Sequence, residues 1–339
     1  MKIRLLMAAL LLFATPALAA EKELYLYTWD TYVAPELFKQ FETETGIKVI
    51  TDIYSSNDTL MAKLKSGAAY DVVVPSGNYV PFLVAEKLLQ PLPAALQSLS
   101  STMIDNVQSP EYDPAYTYVL PMAYGTTSLA VNTKLVPGTI DSWQQFFERP
   151  TGETPSLGVS DDLGTAMDIA SLAINKPFCD NSPETFKALQ ALLLKQKPFV
   201  KVYGWTGASE RMAANEIAMQ MAWNGDVYKV RQMNPAIAYV YPKEGVELAV
   251  DNLAIPASAR NLDAARQFIA FMLKPENAAA FTVASGTMST VKAAADLLPD
   301  DMKKAPEFNI PEGSIAKPAK ACPPEVVKAY GQIWAELTR

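Results

Sequence analysis

The sequence predicts an α/β fold built on an open, largely parallel sheet, and three observations carry that prediction. Strand and helix signals alternate from Leu24 onward. The run Tyr70 to Tyr79, YDVVVPSGNY, is apolar almost throughout, as a parallel strand buried on both faces must be. The chain has 339 residues, and removing an N-terminal leader leaves roughly 320, which suits two domains better than one.

The leader comes first. Lys2 and Arg4 precede a short apolar run, and Ala17-Leu18-Ala19 supplies the small residues of a cleavage site, so residues 1–19 read as a secretory signal peptide. The run is too short to span a bilayer and no cysteine follows the cut. Leu24 to Tyr27 reads as the first strand. Pro35 opens an amphipathic helix with Phe38 and Phe41 on one side and Gly46 at its C-cap. Ile47 to Ser56 is a second strand. Ser56 or Asn57 caps a helix from Thr59 to Lys65, ended by Gly67, and the apolar run from Tyr70 is the third strand. Strand, helix, strand, helix, strand implies right-handed crossovers. The Ser/Pro-rich stretch Leu89 to Tyr116 reads as a loop over the surface.

Farther along, Ser128 to Val136 predicts a strand leaving this unit. Helices follow around Thr165 to Ile174, Pro183 to Lys195 and Ala208 to Asn215. Glu216 to Val230 reads as one strand carrying Trp223 and Asp226, and Leu248 to Ala259 as a strand leading into a helix from Asn261 to Met272.

Composition excludes several functions. With 36 acidic against 29 basic residues and no basic run, the chain does not invite nucleic acid or anionic lipid. It has no histidine, which removes Ser-His-Asp and Cys-His catalysis and histidine metal sites. Dinucleotide, Walker and nucleophile-elbow motifs are absent too, so the sequence points away from an enzyme and implies no cofactor or metal. In an exported chain the two cysteines, Cys179 and Cys322, read as a disulfide.

Open α/β sheets bind ligands outside the carboxyl ends of their strands. Trp29-Asp30-Thr31-Tyr32 follows the first strand and Ser76-Gly77-Asn78-Tyr79 the third, so both fall on that edge. Asp251 lies between apolar runs, where an acid needs a cationic partner, either a ligand or a lysine or arginine of the chain.

The segments YTWDTYVAPELFKQFETETGIKVI, YDVVVPSGNYV, MAWNGDVY, YPKEGVELAVDNLAIPAS and FIAFMLKPENAA, in this order, resemble the bacterial periplasmic spermidine/putrescine-binding proteins, the substrate-capturing components of polyamine ABC importers. The resemblance covers nearly the whole chain after the leader. It implies a two-lobe periplasmic binding protein, type II-like, each lobe an open sheet flanked by helices with the ligand cleft between. Lobe one would be 20–128 plus 252–295, lobe two 133–248 plus 302–339, and the hinge crossings would lie near 129–132 and 249–251. The expected product is a monomer that closes over its ligand and presents it to a membrane permease.

A linear polyamine needs carboxylates for its ammonium ends and flat apolar walls for its methylenes, and aromatic faces serve both. By resemblance Trp29 and Tyr32 are wall aromatics and Ser76 ends the third strand. Trp223 and Asp226 match an aromatic and an acid of the family's second lobe, Asp162 the acid entering a lobe-two helix, and Asp251 the acid at the lobe crossing. The family's acid before the tyrosine is Thr31 here, with Asp30 one place earlier as its substitute. Thr165, Ala249, Asn78 and Thr287 stand where the family carries an acid or a ring. Such a cleft is roomier and less charged, which places putrescine-sized diamines, cadaverine or agmatine ahead of spermidine.

Rival roles stand beside these. Trp29, Tyr32 and Trp223 can pack in a core, and Asp162 can serve as a helix N-cap. The closed form can signal through a membrane sensor instead of a permease. A retuned relative can take a non-polyamine ligand, but the adjacent tyrosine pair of iron binders is missing, and an amino acid would need an arginine such as Arg211 or Arg231 at the cleft.

Overall fold

The structure is a computed structural model that describes residues 22–148, 156–204 and 207–338. The leader expected at 1–19 lies outside the described residues. In chain order the first elements are β1 (Lys22–Trp29), α1 (Pro35–Thr45), β2 (Ile47–Tyr54), α2 (Asn57–Lys65), β3 (Val72–Val73), α3 (Val80–Ala85) and α4 (Ala94–Gln97). The middle holds β4 (Val119–Asn132), α5 (Trp143–Glu148), β5 (Leu157–Val159), α6 (Leu163–Ala173), α7 (Pro183–Gln196), β6 (Val200–Tyr203), α8 (Ala208–Ala213), β7 (Met219–Trp223), α9 (Asn224–Met233) and β8 (Ile237–Val240). The last part comprises β9 (Val246–Ala254), α10 (Leu262–Met272), α11 (Pro275–Ser285), β10 (Met288–Ser289), α12 (Asp300–Lys304), β11 (Ala316–Pro318) and α13 (Pro324–Leu337).

The early elements form for the reasons read from the sequence. Pro35 sits at the first turn of α1, which buries Phe38 and Phe41, and Gly46 closes the helix in the left-handed conformation, with φ 69°. Ser56 caps α2, its hydroxyl accepting the Thr59 N–H at 3.2 Å. β1 pairs with β2 and with β3, both parallel.

The two lobes share one hydrogen-bonded sheet, ordered β2-β1-β3-β9-β4-β7-β5-β6. β4 and β9 are its spine, antiparallel from Val119 opposite Ala254 to Thr127 opposite Glu247. At one end of this ladder β3 pairs with β9 and β10 with β4; at the other, β7 and β8 pair with β4 and β11 with β9. Each half has its own core. Leu24, Phe41, Leu120 and Phe268 belong to the first, and Trp143, Phe146, Leu157 and Met219 to the second. A disulfide joins Cys179 and Cys322, as expected, and ties the start of α13 to the second core.

Several expectations need correction. The strand read over 216–230 stops at Trp223, and α9 starts at Asn224, where Gly225 leads into a helical turn. The strand read from Ser128 begins at Val119 and ends at Asn132. The stretch 89–116 is more than a surface loop: it buries Leu92, Leu96, Met103, Val107 and Tyr116 in the first core. Only Val72 and Val73 of the third strand join the ladder. Residues 129–132 form the end of β4, where it pairs with β7 and β8.

Candidate binding cleft

β1, β2 and the chain after β3 bring their carboxyl ends to one edge. Trp29 ends β1 directly opposite Tyr54, the last residue of β2. The Trp29 indole N–H donates to the Val74 carbonyl at 3.0 Å, and the Tyr54 hydroxyl donates to the same oxygen. The two rings sit 4.5 Å apart at 58°. Tyr27 packs edge-on to Tyr54 and stacks on Tyr70 at 4.4 Å, so the edge aromatics rest on a rigid ladder of rings.

Asp251 is the centre of this edge. It lies on β9, only 4 % exposed, where burial pushes its carboxyl above the usual carboxylate range. Two hydroxyls oppose that shift. Tyr32, in the turn after β1, donates to Oδ2 at 2.5 Å, and Ser76 donates to Oδ1 at 2.6 Å. Both donors are themselves positioned. The Tyr32 ring stands edge-on to Phe281 of α11, and the Ser76 N–H donates to Asn57 Oδ1 at 3.0 Å. Tyr112 lies flat on Gly77, where a Cβ would come within 2.3 Å of its ring, and its hydroxyl donates to Asn252. No lysine or arginine among the described residues forms an ion pair with Asp251.

The second lobe supplies the facing side. Trp223 ends β7 opposite Thr127, and its ring lies over Gly125, where a Cβ would come within 2.6 Å. Asp162 caps α6, accepting the Thr165 N–H at 2.8 Å. Its carboxyl is pushed up by its protein surroundings and by Asp58 and Asp161. Asp58 belongs to α2 of the first lobe, and Tyr79 of that lobe is in turn pushed up by burial, Asp58 and Asp162.

Of the residues expected in the site, the structure gathers Trp29, Tyr32, Ser76 and Asp251 on one side and places Trp223 and Asp162 opposite. Asp30 is exposed on the turn, its backbone carbonyl accepting the Val33 N–H. Asp226, in the first turn of α9, lines a separate pocket with Ser209, Met212, Gln220 and Val230. Burial and Glu210 raise its carboxyl, and Lys229 opposes them. Neither Asp30 nor Asp226 is brought to Asp251. Tyr54, Tyr112, Asp168 and Glu247 were missed. For Glu247 a signal existed: two acids, Glu247 and Asp251, at even spacing in an otherwise apolar strand share one face.

The family model for bacterial extracellular solute-binding proteins matches residues 36–310. The chain belongs to this family. A spermidine/putrescine-binding periplasmic protein of Salmonella typhimurium is 34% identical over 272 residues, 79% of this chain and 78% of that protein. A putrescine/cadaverine-binding protein of Pseudomonas aeruginosa is 30% identical and covers 99% of both chains. A solved structure described as a putative spermidine/putrescine ABC transporter from Listeria monocytogenes superposes with a TM-score of 0.86 at 27% identity, covering 94% of this chain and 99% of the other. The resemblance read from the sequence motifs, and the two-lobe fold it implied, are borne out. The family's members are solute-binding transport proteins.

Proposed function

We propose that this protein captures a small di- or polyamine between its lobes in the periplasm and delivers it, as a monomer, to the membrane permease of an ABC importer. One observation carries the reading. Asp251 is buried at the crossing of the lobes with both oxygens met by neutral hydroxyls, so the cation that a buried carboxylate calls for is left to the ligand. Trp29 and Trp223 supply flat faces for methylenes and for cation–π contact, and Asp162 adds negative charge from the second lobe. Asp30 and Asp226 play no part in this reading. Arg231 is bound to Glu307, which argues against its use as a clamp for a carboxylate ligand. Ammonium binding by carboxylates and ring faces requires no cofactor.

The lobes are taken as 20–128 with 252–295 and 133–248 with 302–339. Their hinge is placed in the β4–β9 ladder, where Ala249, Val250 and Asp251 lie opposite Gly125, Tyr124 and Ala123. No helix among the described residues is long and apolar enough to cross a membrane.

Thermal melts of the leaderless chain, stripped of ligand by unfolding and refolding, test the proposal. The panel is putrescine, cadaverine, agmatine, spermidine, γ-aminobutyrate and arginine. A ligand at 100 times its dissociation constant adds about 2.7 kcal/mol of stability. A diamine or agmatine is expected to raise Tm clearly, and Asp251→Asn to abolish the shift while the apo melt survives. Silence from every amine beside a shift with a carboxylate-bearing compound would refute the amine reading.

A further inference from the structure

Six acidic side chains are buried among the described residues: Asp71, Asp113, Asp168, Glu247, Asp251 and Glu307. The fold accounts for three of them. Asp71 accepts the N–H groups of Tyr25, Arg260 and Asn261. Asp113 accepts those of Thr117, Tyr118 and Val119. Glu307 takes two bonds from Arg231, at 2.7 and 2.9 Å. Asp251 has its two hydroxyls.

Glu247 and Asp168 are different. Glu247 is 3 % exposed; its Oε1 accepts one 3.2 Å bond from the Thr165 hydroxyl, and its Oε2 has no partner. Asp168, on α6, is 4 % exposed and its Oδ1 has no partner. A buried carboxylate in that state is unfavourable unless a cation neutralises it or it takes up a proton.

Their position says which cation fits. Glu247, Ala249 and Asp251 are alternate residues of β9 and share a face; their partners on β4 are Thr127, Gly125 and Ala123. Between the two acids the sheet thus presents only Ala249 and Gly125, with the Trp223 ring above Gly125. Four residues of strand separate the Cα atoms by about 13 Å. Allowing an N···O contact of ~2.8 Å at each end leaves roughly 7 Å. No group of three acidic, cysteine or histidine side chains among the described residues is arranged to hold a metal ion. Lys317, the β11 partner of Glu247, has its ammonium 6.0 Å from the Phe178 ring centroid and forms no ion pair with Glu247.

We propose that Glu247, held by Thr165, is the seat for the second ammonium of a linear dication whose first ammonium sits at Asp251, with Ala249 and the Trp223 ring that covers Gly125 as the apolar wall between. This deepens the amine reading above and rests on it. The spacing favours four- and five-carbon diamines over three-carbon ones. Burial, with Asp162 beside it, raises the Glu247 carboxyl to about 7. The groups around it are Asp162 and Asp168 on α6, Thr127 on β4 and Lys317 on β11, with Tyr330 of α13 next to Asp168. At neutral pH an arriving ammonium therefore displaces a proton from a seat that is partly protonated.

Calorimetric titration of the leaderless chain with the α,ω-diaminoalkanes from 1,3-diaminopropane to 1,6-diaminohexane, and with the monoamine hexylamine, tests this. The wild type is expected to bind the four- and five-carbon diamines at least about tenfold more tightly than hexylamine. Glu247→Gln should bring the two within about twofold, chiefly by weakening the diamine. Asp251→Asn should weaken both. Wild-type diamine affinity should rise from pH 6 to pH 8, and that rise should vanish in Glu247→Gln. Thr165→Ala, which keeps the carboxylate but removes its tether, should give a smaller loss and keeps the test readable if Glu247→Gln misfolds. A diamine preference unchanged in Glu247→Gln or Thr165→Ala overturns the second seat alone. Failure of every amine to bind the wild type overturns the amine reading and this inference together.

Discussion

Asp71 and Glu247 are both buried acids, yet their surroundings differ in a way that pH can read. Asp71 is wrapped in backbone N–H groups, whereas Glu247 has only the hydroxyls of Thr165 and Thr127 to oppose its burial, with two neighbouring acids. Desolvation chiefly, then Asp162, lifts Glu247 from 4.5 to about 7. A folded acid with a raised pKa favours the folded state at low pH. As pH climbs from 4.5 toward 7 the unfolded chain ionises first, so the ligand-free protein loses stability through that window. The loss is on the order of 3 kcal/mol. Glu247→Gln should therefore flatten the apo melting curve between pH 5 and pH 7 and raise Tm at pH 8; a wild-type Tm independent of pH in that window would contradict the raised carboxyl. Asp251 was legible in the sequence because an acid between apolar runs needs a partner. Glu247 was legible only in part: its even spacing from Asp251 marked a shared face, but its unpartnered state depends on Thr165 and Asp168 arriving from α6, a contact made only by tertiary packing.

Among elements, α13 is held by its apolar face and by a covalent cross-link. Val326, Tyr330, Ile333 and Leu337 bury its apolar face against the second core, and the Cys179–Cys322 disulfide pins its start across a sequence separation of 143 residues. In the chain-entropy account a cross-link of that span stabilises by about 5 kcal/mol. Replacing both cysteines with serine should lower Tm by several degrees, detectable by calorimetry, while diamine affinity in the folded protein stays within about twofold. Affinity falling in step with stability would show that α13 reaches the cleft. Helix starts were readable wherever a cap residue met an apolar stripe, as at Ser56 and Pro35. The β7–α9 junction was not, since MAWNGDVYKV keeps an apolar rhythm on both sides of Trp223 and only Gly225 marks the change.

At the scale of the molecule, the lobes meet beside the cleft as well as through the ladder. Gly225 of α9 lies against the backbone of Gly286, just past α11, so closely that a Cβ would stand 2.2 Å from the Gly286 carbonyl oxygen. Nearby, the Lys229 ammonium donates to the Ser285 carbonyl at 3.1 Å. Gly225→Ala should hold α9 and α11 apart, cut diamine affinity at least about tenfold and leave the apo Tm within a few degrees; titration and a melt would show it. Unchanged affinity would mean that this contact is not required for capture. The alternation of strands and helices revealed the class of fold. The register that sets Glu247 opposite Thr127 and Asp251 opposite Ala123 was beyond reach, because strand pairing is a long-range choice.

That register has one more consequence. Both proposed ammonium seats project from a single strand that stays hydrogen-bonded to β4 across the whole crossing. Ala249 and Val250 of the proposed hinge lie between them, so bending of the ladder as the lobes close alters the distance between the seats. The protein would thus gauge the length of its guest in the act of closing, since only a dication that spans the closed distance keeps both seats filled.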